Sequence, residues 1–331
     1  MRGTLHQLTI ESECLRANKL GDPSQRTLYV YEPNTGMSKR LPVVMMLAGF
    51  GGTNHSIVAW DPWKQNTISL YDRLVDEGKA SPAYLVMPDA FNRWGGSQFL
   101  DSAATGSYQT YLADEIIPFV DKHFRSIPNR EARAVAGRSS GGFGALRLAI
   151  DRPDTVVAVG AHAADADFEV TMRPMLTSAA IAMAAAGGVE AFAHAIVHGG
   201  PRTPQQFDAL FVLAASAAYT DAAIDAFPFA ELPINVETGE LVASGWQNWI
   251  NHDPLTLLER RADALGSLGY AFIDAGDVDE HGLQFAARKL AQLCRNRGVP
   301  TDFEIFDGGH RGTSFRYENS LPKLISALAT E

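Results

Sequence analysis

The stretch Ala134–Leu146, AVAGRSSGGFGAL, constrains this chain more than any other. At its centre Gly137-Arg138-Ser139-Ser140-Gly141 reads G-x-S-x-G. Ala132 to Ala136 is a short apolar run that ends in glycine, as a buried strand would. Phe143, Leu146 and Ile150 then fall at helical spacing until Arg152-Pro153 stops the pattern. A strand, a turn too tight for large neighbours and a helix form the context of a nucleophile elbow. Such a turn strains the serine backbone and lifts Oγ to the sheet edge, beside the positive end of the helix. A Gly/Ser turn of some other α/β fold accounts for the five residues but not for their flanks.

The rest of the chain supplies a matching frame. Leu5–Leu15 and Arg26–Tyr31 alternate polar and apolar residues around a turn-rich connection, which predicts an antiparallel strand pair. Leu41–Leu47 and Ala83–Pro88 are apolar runs suited to strands covered on both faces, and Thr155–Ala161, Gly269–Ala275 and Asp302–Phe306 read as further strands. Helical spacing predicts helices over Asn66–Glu77, Tyr108–Phe124 with a bend at Pro118, Leu255–Leu265, Gly282–Arg297 and Leu321–Thr330. The long loop after Pro88, rich in Gly, Ser, Asn and aromatics, is of the kind that carries function. From about Ala164 to Asp253 the strand–helix rhythm stops, and Met172, Met175, Met183, Phe192, Phe207, Phe211, Tyr219, Phe227 and Phe229 are scattered through helix-like patterns. These features predict a mostly parallel central sheet flanked by helices. A largely helical cap insertion (164–253) would divide an α/β core formed by residues 1–163 and 254–331.

Composition removes several alternatives. A net charge of −10 repels nucleic acid and anionic membranes. The two cysteines, Cys14 and Cys294, read as buried thiols rather than a bridge or metal pair. The most apolar region, Ala179–Val197, is interrupted by Gly187, Gly188 and Glu190, so no membrane span is expected. The N-terminus has no continuous apolar stretch, so the expectation is no signal peptide and a cytoplasmic location. A homo-oligomer is left open.

A serine hydroxyl needs an adjacent base oriented by a carboxylate. After Ser139 the chain offers an acid beyond one later strand and His310 beyond the last, which is the Ser…Asp/Glu…His order of α/β hydrolases. For the acid, Asp274 lies within the strand, Asp277 follows Gly276, and Glu280 is longer and nearer the helix; Asp279 leads from spacing, with the others open. Among other histidines, His281 lies beside the acid and His55 just past a glycine-rich turn, while His162, His194, His198 and His252 have no spacing partner. That turn, Ala48-Gly49-Phe50-Gly51-Gly52-Thr53, ends a central strand where backbone N–H groups can meet a developing oxyanion. It carries no phosphate-loop pattern, and no Cys/His cluster or H-E-x-x-H suggests a metal. No cofactor is expected.

Six pieces in order, LPVVMMLAGFGGT, GGSQFLDSAATGSYQTYLADEIIPFVDKHFR, VAGRSSGGFGAL, INVETGELVASGWQNWINHDPL, IDAGDVDEHGL and GGHRGTSFRY, resemble the putative-esterase family of α/β hydrolases. That family includes S-formylglutathione hydrolases, feruloyl esterases and mycolyltransferases. The resemblance implies an α/β-hydrolase fold with Ser139 as nucleophile, Asp279 as acid and His310 as base. It puts the oxyanion donors at the N–H groups of Phe50 and Ser140. The implied activity is carboxylic-ester hydrolysis of small to medium apolar or aromatic esters, with thioester hydrolysis or acyl transfer as alternatives. A non-catalytic binding relative is the reading outside enzymes. Ala48-Gly49 stands where the family commonly has His-Gly, and the long cap departs from its compact members.

Overall fold

Alternation inside one apolar run explains the middle of the sheet. In β3 (Val43–Leu47) every residue is buried; Val43, Met45 and Leu47 join the core on one face, and Val44 and Met46 join the other. The computed structural model describes residues 2–35, 39–220, 224–261 and 266–331. Its main sheet has eight strands: β1 (Thr4–Glu11), β2 (Gln25–Glu32), β3, β4 (Tyr84–Pro88), β7 (Arg133–Arg138), β8 (Ala158–His162), β9 (Tyr270–Gly276) and β10 (Thr301–Phe306). They run in the order β1-β2-β4-β3-β7-β8-β9-β10. β1 and β2 pair antiparallel along their whole length, β2 joins β4 antiparallel, and all later pairs are parallel. The short strands β5 (Asp101–Ser102) and β6 (Gly106–Ser107) make a separate hairpin in the long loop.

Helices cover both faces. Ser140–Asp151 and Leu283–Asn296 bury Leu146 and Leu290 on one; Thr67–Asp76 and Tyr317–Ser326 bury Leu74 and Leu321 on the other. Parallel strands bring the turns after β3, β7, β8, β9 and β10 to one edge, where ligands of open α/β sheets bind. Between β8 and β9 lie the helices Phe168–Thr171, Leu176–Ala185, Val189–Gly199, Pro204–Tyr219 and Ala243–His252. No single helix among the described residues is long and apolar enough to cross a membrane. The apolar pair Phe168–Ala185 and Val189–Gly199 is bent by 86°.

Three sequence expectations shift. The segment after Tyr108 is not one bent α-helix: Tyr111–Ile116 is π-helical, with the Ile117 N–H reaching back to Leu112 O. The wide turn leads directly into Pro118, in the first turn of Ile117–His123, where a missing N–H is tolerated. The helix expected over Leu255–Leu265 is observed as Pro254–Arg260, and positions 262–265 lie outside the described residues. The terminal helix starts at Tyr317 rather than Leu321 and runs through Pro322, because the preceding turn is anchored in a buried ionic network.

That network ties the helix to the sheet. Asp274 in β9, 1% exposed, accepts from Arg316 Nε at 2.8 Å and pairs with His162 Nδ1 at 2.8 Å. Arg316 also pairs with Glu304 and lies over the Phe306 ring, 4.6 Å from its centre. His162 Nε2 meets Ser320 Oγ at 2.9 Å. Removing one partner of a buried pair leaves an uncompensated charge. Arg316→Met should therefore lower unfolding free energy by about 3–5 kcal/mol, read by urea denaturation; a change below ~1 kcal/mol would contradict the assigned role.

Candidate active site

The turn at the end of β7 exists because two glycines permit it. A Cβ on Gly137 would lie 2.3 Å from the Gly141 backbone, and one on Gly141 would lie 2.2 Å from Leu47 O. Between them Ser139 adopts φ 57° and ψ −126°, a conformation disfavoured for a non-glycine residue. The strain is held by a hydrogen bond from Ser139 N–H to His162 O at 2.9 Å and by the helix that begins at Ser140. Ser139 Oγ thus points off the sheet edge at a helix N-terminus.

His310, four residues beyond β10, places Nε2 3.1 Å from Ser139 Oγ. Its Nδ1 lies 2.8 Å from Asp279 Oδ2. Asp279 is 5% exposed, and its other oxygen accepts the His281 N–H at 2.9 Å. Burial works against that carboxylate, but His310 and the His281 N–H outweigh it and hold Asp279 below its ordinary range. The other acids have different work. Asp274 is in the Arg316 network, Asp277 Oδ1 accepts the Gly308 N–H at 3.0 Å, and Glu280 Oε2 accepts the His310 N–H at 2.6 Å. Glu280 and Asp277 therefore fix the loop that carries His310 rather than its ring. Arg138 adds a donor to His310 O at 3.2 Å.

The glycine-rich turn after β3 lies directly against this serine. A Cβ on Gly49 would meet Arg138 O at 3.1 Å and Ser139 Cβ at 3.5 Å. The N–H groups of Gly51 and Gly52 are bonded to Gly95 O and Gly49 O, at 2.8 and 2.9 Å. Those of Phe50 and Ser140 have no acceptor among the described residues. The Phe50 ring holds the turn in place. Gly95 and Gly96 of the long loop press on one side of it, and Phe207 and Phe211 meet it edge-on at 5.4 and 5.1 Å. Both rings come from the helix Pro204–Tyr219, so this turn, which lacks the His-Gly pair, is supported by aromatic packing.

A cleft of about 570 Å³ opens over Ser139, lined by Phe50, Met172, Met175, Phe207, Phe211 and Leu283. His281 also faces it, its ring 4.9 Å from that of His310; burial and that neighbour hold its imidazole below the ordinary range. Four further histidines stand apart: His55 bonds Tyr29 at 2.9 Å, His194 stacks on Phe227, His198 is exposed, and His252 bonds Arg147 at 2.8 Å. Among the described residues no group of three His, Cys, Asp or Glu could hold a metal ion. One cleft residue was not foreseen from sequence. Asp165, three residues past β8, accepts from Ser140 Oγ at 2.8 Å and lies 3.3 Å from Ser139 Oγ. It sits in HAADADF, where Asp165 and Asp167 are alternatives that no motif separates.

Comparison with known proteins agrees with this architecture. Over 160 residues the chain is 28% identical to an endo-1,4-beta-xylanase/feruloyl esterase of Xylanibacter ruminicola, covering 46% of this chain and 20% of that protein. The chain thus spans about a fifth of the length of the curated relatives it matches. Among solved structures, a ferulic acid esterase superposes with a TM-score of 0.63 over 99% of both chains at 22% identity. An S-formylglutathione hydrolase from Agrobacterium tumefaciens does so with a TM-score of 0.61 over 99% of this chain and 96% of its own, at 16% identity. These likenesses establish the α/β-hydrolase fold. A family model described as "Putative esterase" matches residues 21–323, and the chain belongs to that family.

Proposed function

We propose that this protein is a serine carboxylic-ester hydrolase in which Ser139, His310 and Asp279 act as a triad. The observation that carries the reading is the continuous line from Ser139 Oγ through the His310 ring to the buried Asp279, at 3.1 and 2.8 Å. In the proposed reaction Ser139 Oγ attacks the ester carbonyl while His310 Nε2 takes its proton. Asp279 accepts from Nδ1, fixes the tautomer and stabilises the imidazolium. The oxyanion is received by the Phe50 and Ser140 N–H groups, which need no reorganisation as charge develops. His310 then protonates the leaving alcohol, and water resolves the acyl-enzyme by the same route in reverse.

The helices between β8 and β9 are proposed as the cap over this site, residues 164–253, dividing a core of residues 1–163 and 254–331. Met172, Met175, Phe207 and Phe211 give the cleft an apolar wall suited to a small or medium alkyl or aromatic acyl group. The substrate is proposed to be a small-molecule ester. Cys14 and Cys294 are unpaired thiols, which suits the reducing cytoplasm.

Hydrolysis of 4-nitrophenyl acyl esters from acetyl to octanoyl tests the reading. Ser139→Ala should lose about 10³-fold or more in kcat, and Asp279→Asn a comparable amount, with both proteins folded. Wild-type rates in Ser139→Ala would exclude it as nucleophile. Met175→Trp, which fills the cleft, should move the preferred acyl chain to a shorter length; an unchanged preference would place the acyl group elsewhere.

A further inference from the structure

Among the described residues Asp165 is the one buried carboxylate lining the cleft that the proposed triad does not use. It is 2% exposed, and it faces the cleft beside Ser139. Its position is fixed from both sides of the elbow. Its N–H approaches Ser139 O at 3.5 Å, and the preceding Ala164 packs so tightly on the elbow helix that a Cβ on Gly142 would lie 2.8 Å from Ala164 Cβ. Ser140 Oγ donates to Oδ2 at 2.8 Å, and Oδ1 lies 3.3 Å from Ser139 Oγ. His310 Nε2 lies 3.1 Å from that same Oγ. A single serine oxygen therefore separates a buried carboxylate from the nitrogen that becomes positive during attack.

We propose that Asp165 is a second electrostatic partner of His310, stabilising the imidazolium from the Nε2 end as Asp279 does from the Nδ1 end. The proposal rests on the triad reading. As the Oγ–carbonyl carbon bond forms, the serine proton passes to Nε2 and the carbonyl electron pair moves to oxygen. Asp165 takes no proton; it holds a negative charge beside the new cation, with Ser140 Oγ–H still donating to it. The ionisable groups facing it are His310 and Asp279 on the loops after β10 and β9, and Tyr219 on the helix Pro204–Tyr219. Burial pushes the Asp165 carboxyl up to about 6, with Ser140, His310 and Ser139 drawing it back. The charge is thus present at neutral pH and lost in mild acid.

The folded protein binds that proton more tightly than the unfolded chain, so ionised Asp165 is a stability cost that appears as pH rises from the ordinary carboxylate range through about 6. A residue that lowers stability while serving the reaction leaves a distinctive pair of signatures. Kinetics on 4-nitrophenyl acetate from pH 5 to 9, with melting curves, should show Asp165→Asn losing roughly tenfold or more in kcat with KM within about twofold. Its acid limb of kcat/KM should move to lower pH, because the imidazolium has lost a neighbouring anion. Above pH about 6 it should melt no lower than wild type. Ser140→Ala keeps both backbone donors but removes the 2.8 Å bond, so Asp165 ionises at higher pH and the deficit should shrink as pH rises.

Wild-type kcat and acid limb in Asp165→Asn would overturn the proposal. So would lost activity with an unmoved limb and a lower melting temperature, since that is a purely structural role. Ser139→Ala separates the two layers. If it is inactive while Asp165→Asn behaves as wild type, the triad reading stands and only the role of Asp165 fails. If it is fully active, both fail.

Discussion

Gly137 and Gly141 set how closely β7 and the helix after it can approach, and the site depends on that approach. With any side chain at either position a Cβ would sit 2.2–2.3 Å from backbone atoms, which no rotamer change relieves. The close turn forces Ser139 into a positive φ, and a strained residue persists only when its surroundings over-determine it. Here the neighbours are β8, which holds the Ser139 N–H through His162 O, and the Gly49 turn, which packs on Ser139 Cβ. Sheet order then brings the loops after β9 and β10 to the same edge, and with them Asp279 and His310.

Three buried aspartates near this edge show how partner choice separates roles. Asp274 faces a guanidinium and an imidazole that is itself bonded to Ser320, and it anchors the terminal helix. Asp279 faces the His310 ring and one backbone N–H, and stays ionised against the pull of burial. Asp165 has serine hydroxyls as its hydrogen-bond partners and no cation bonded to it, so burial dominates and its carboxyl rises. Residue type and burial are shared; the donors differ, and the donors decide which aspartate carries structure and which can carry chemistry.

Much of this was legible in the sequence because burial on both faces leaves unbroken apolar runs, as in Val43–Leu47 and Ala158–Ala161. The elbow was legible because its glycines have a steric reason to be there. The choice between Asp274 and Asp279 was not settled by spacing, since it turns on what packs across β9: Arg316 arrives from 42 residues away. The start of the terminal helix was missed for the same reason, Tyr317 being buried against His162. Asp165 left one usable signal. It lies just past the end of β8, on the sheet edge that also carries Ser139, Asp279 and His310.

The most direct test is covalent labelling of the proposed nucleophile with a fluorophosphonate, followed by peptide mass spectrometry. A single adduct is expected, on Ser139 within the peptide that spans the elbow. No adduct is expected in Ser139→Ala, and labelling should be markedly slower in His310→Ala, because the base that takes the serine proton is gone. Labelling of a folded Ser139→Ala protein at the wild-type rate would contradict it.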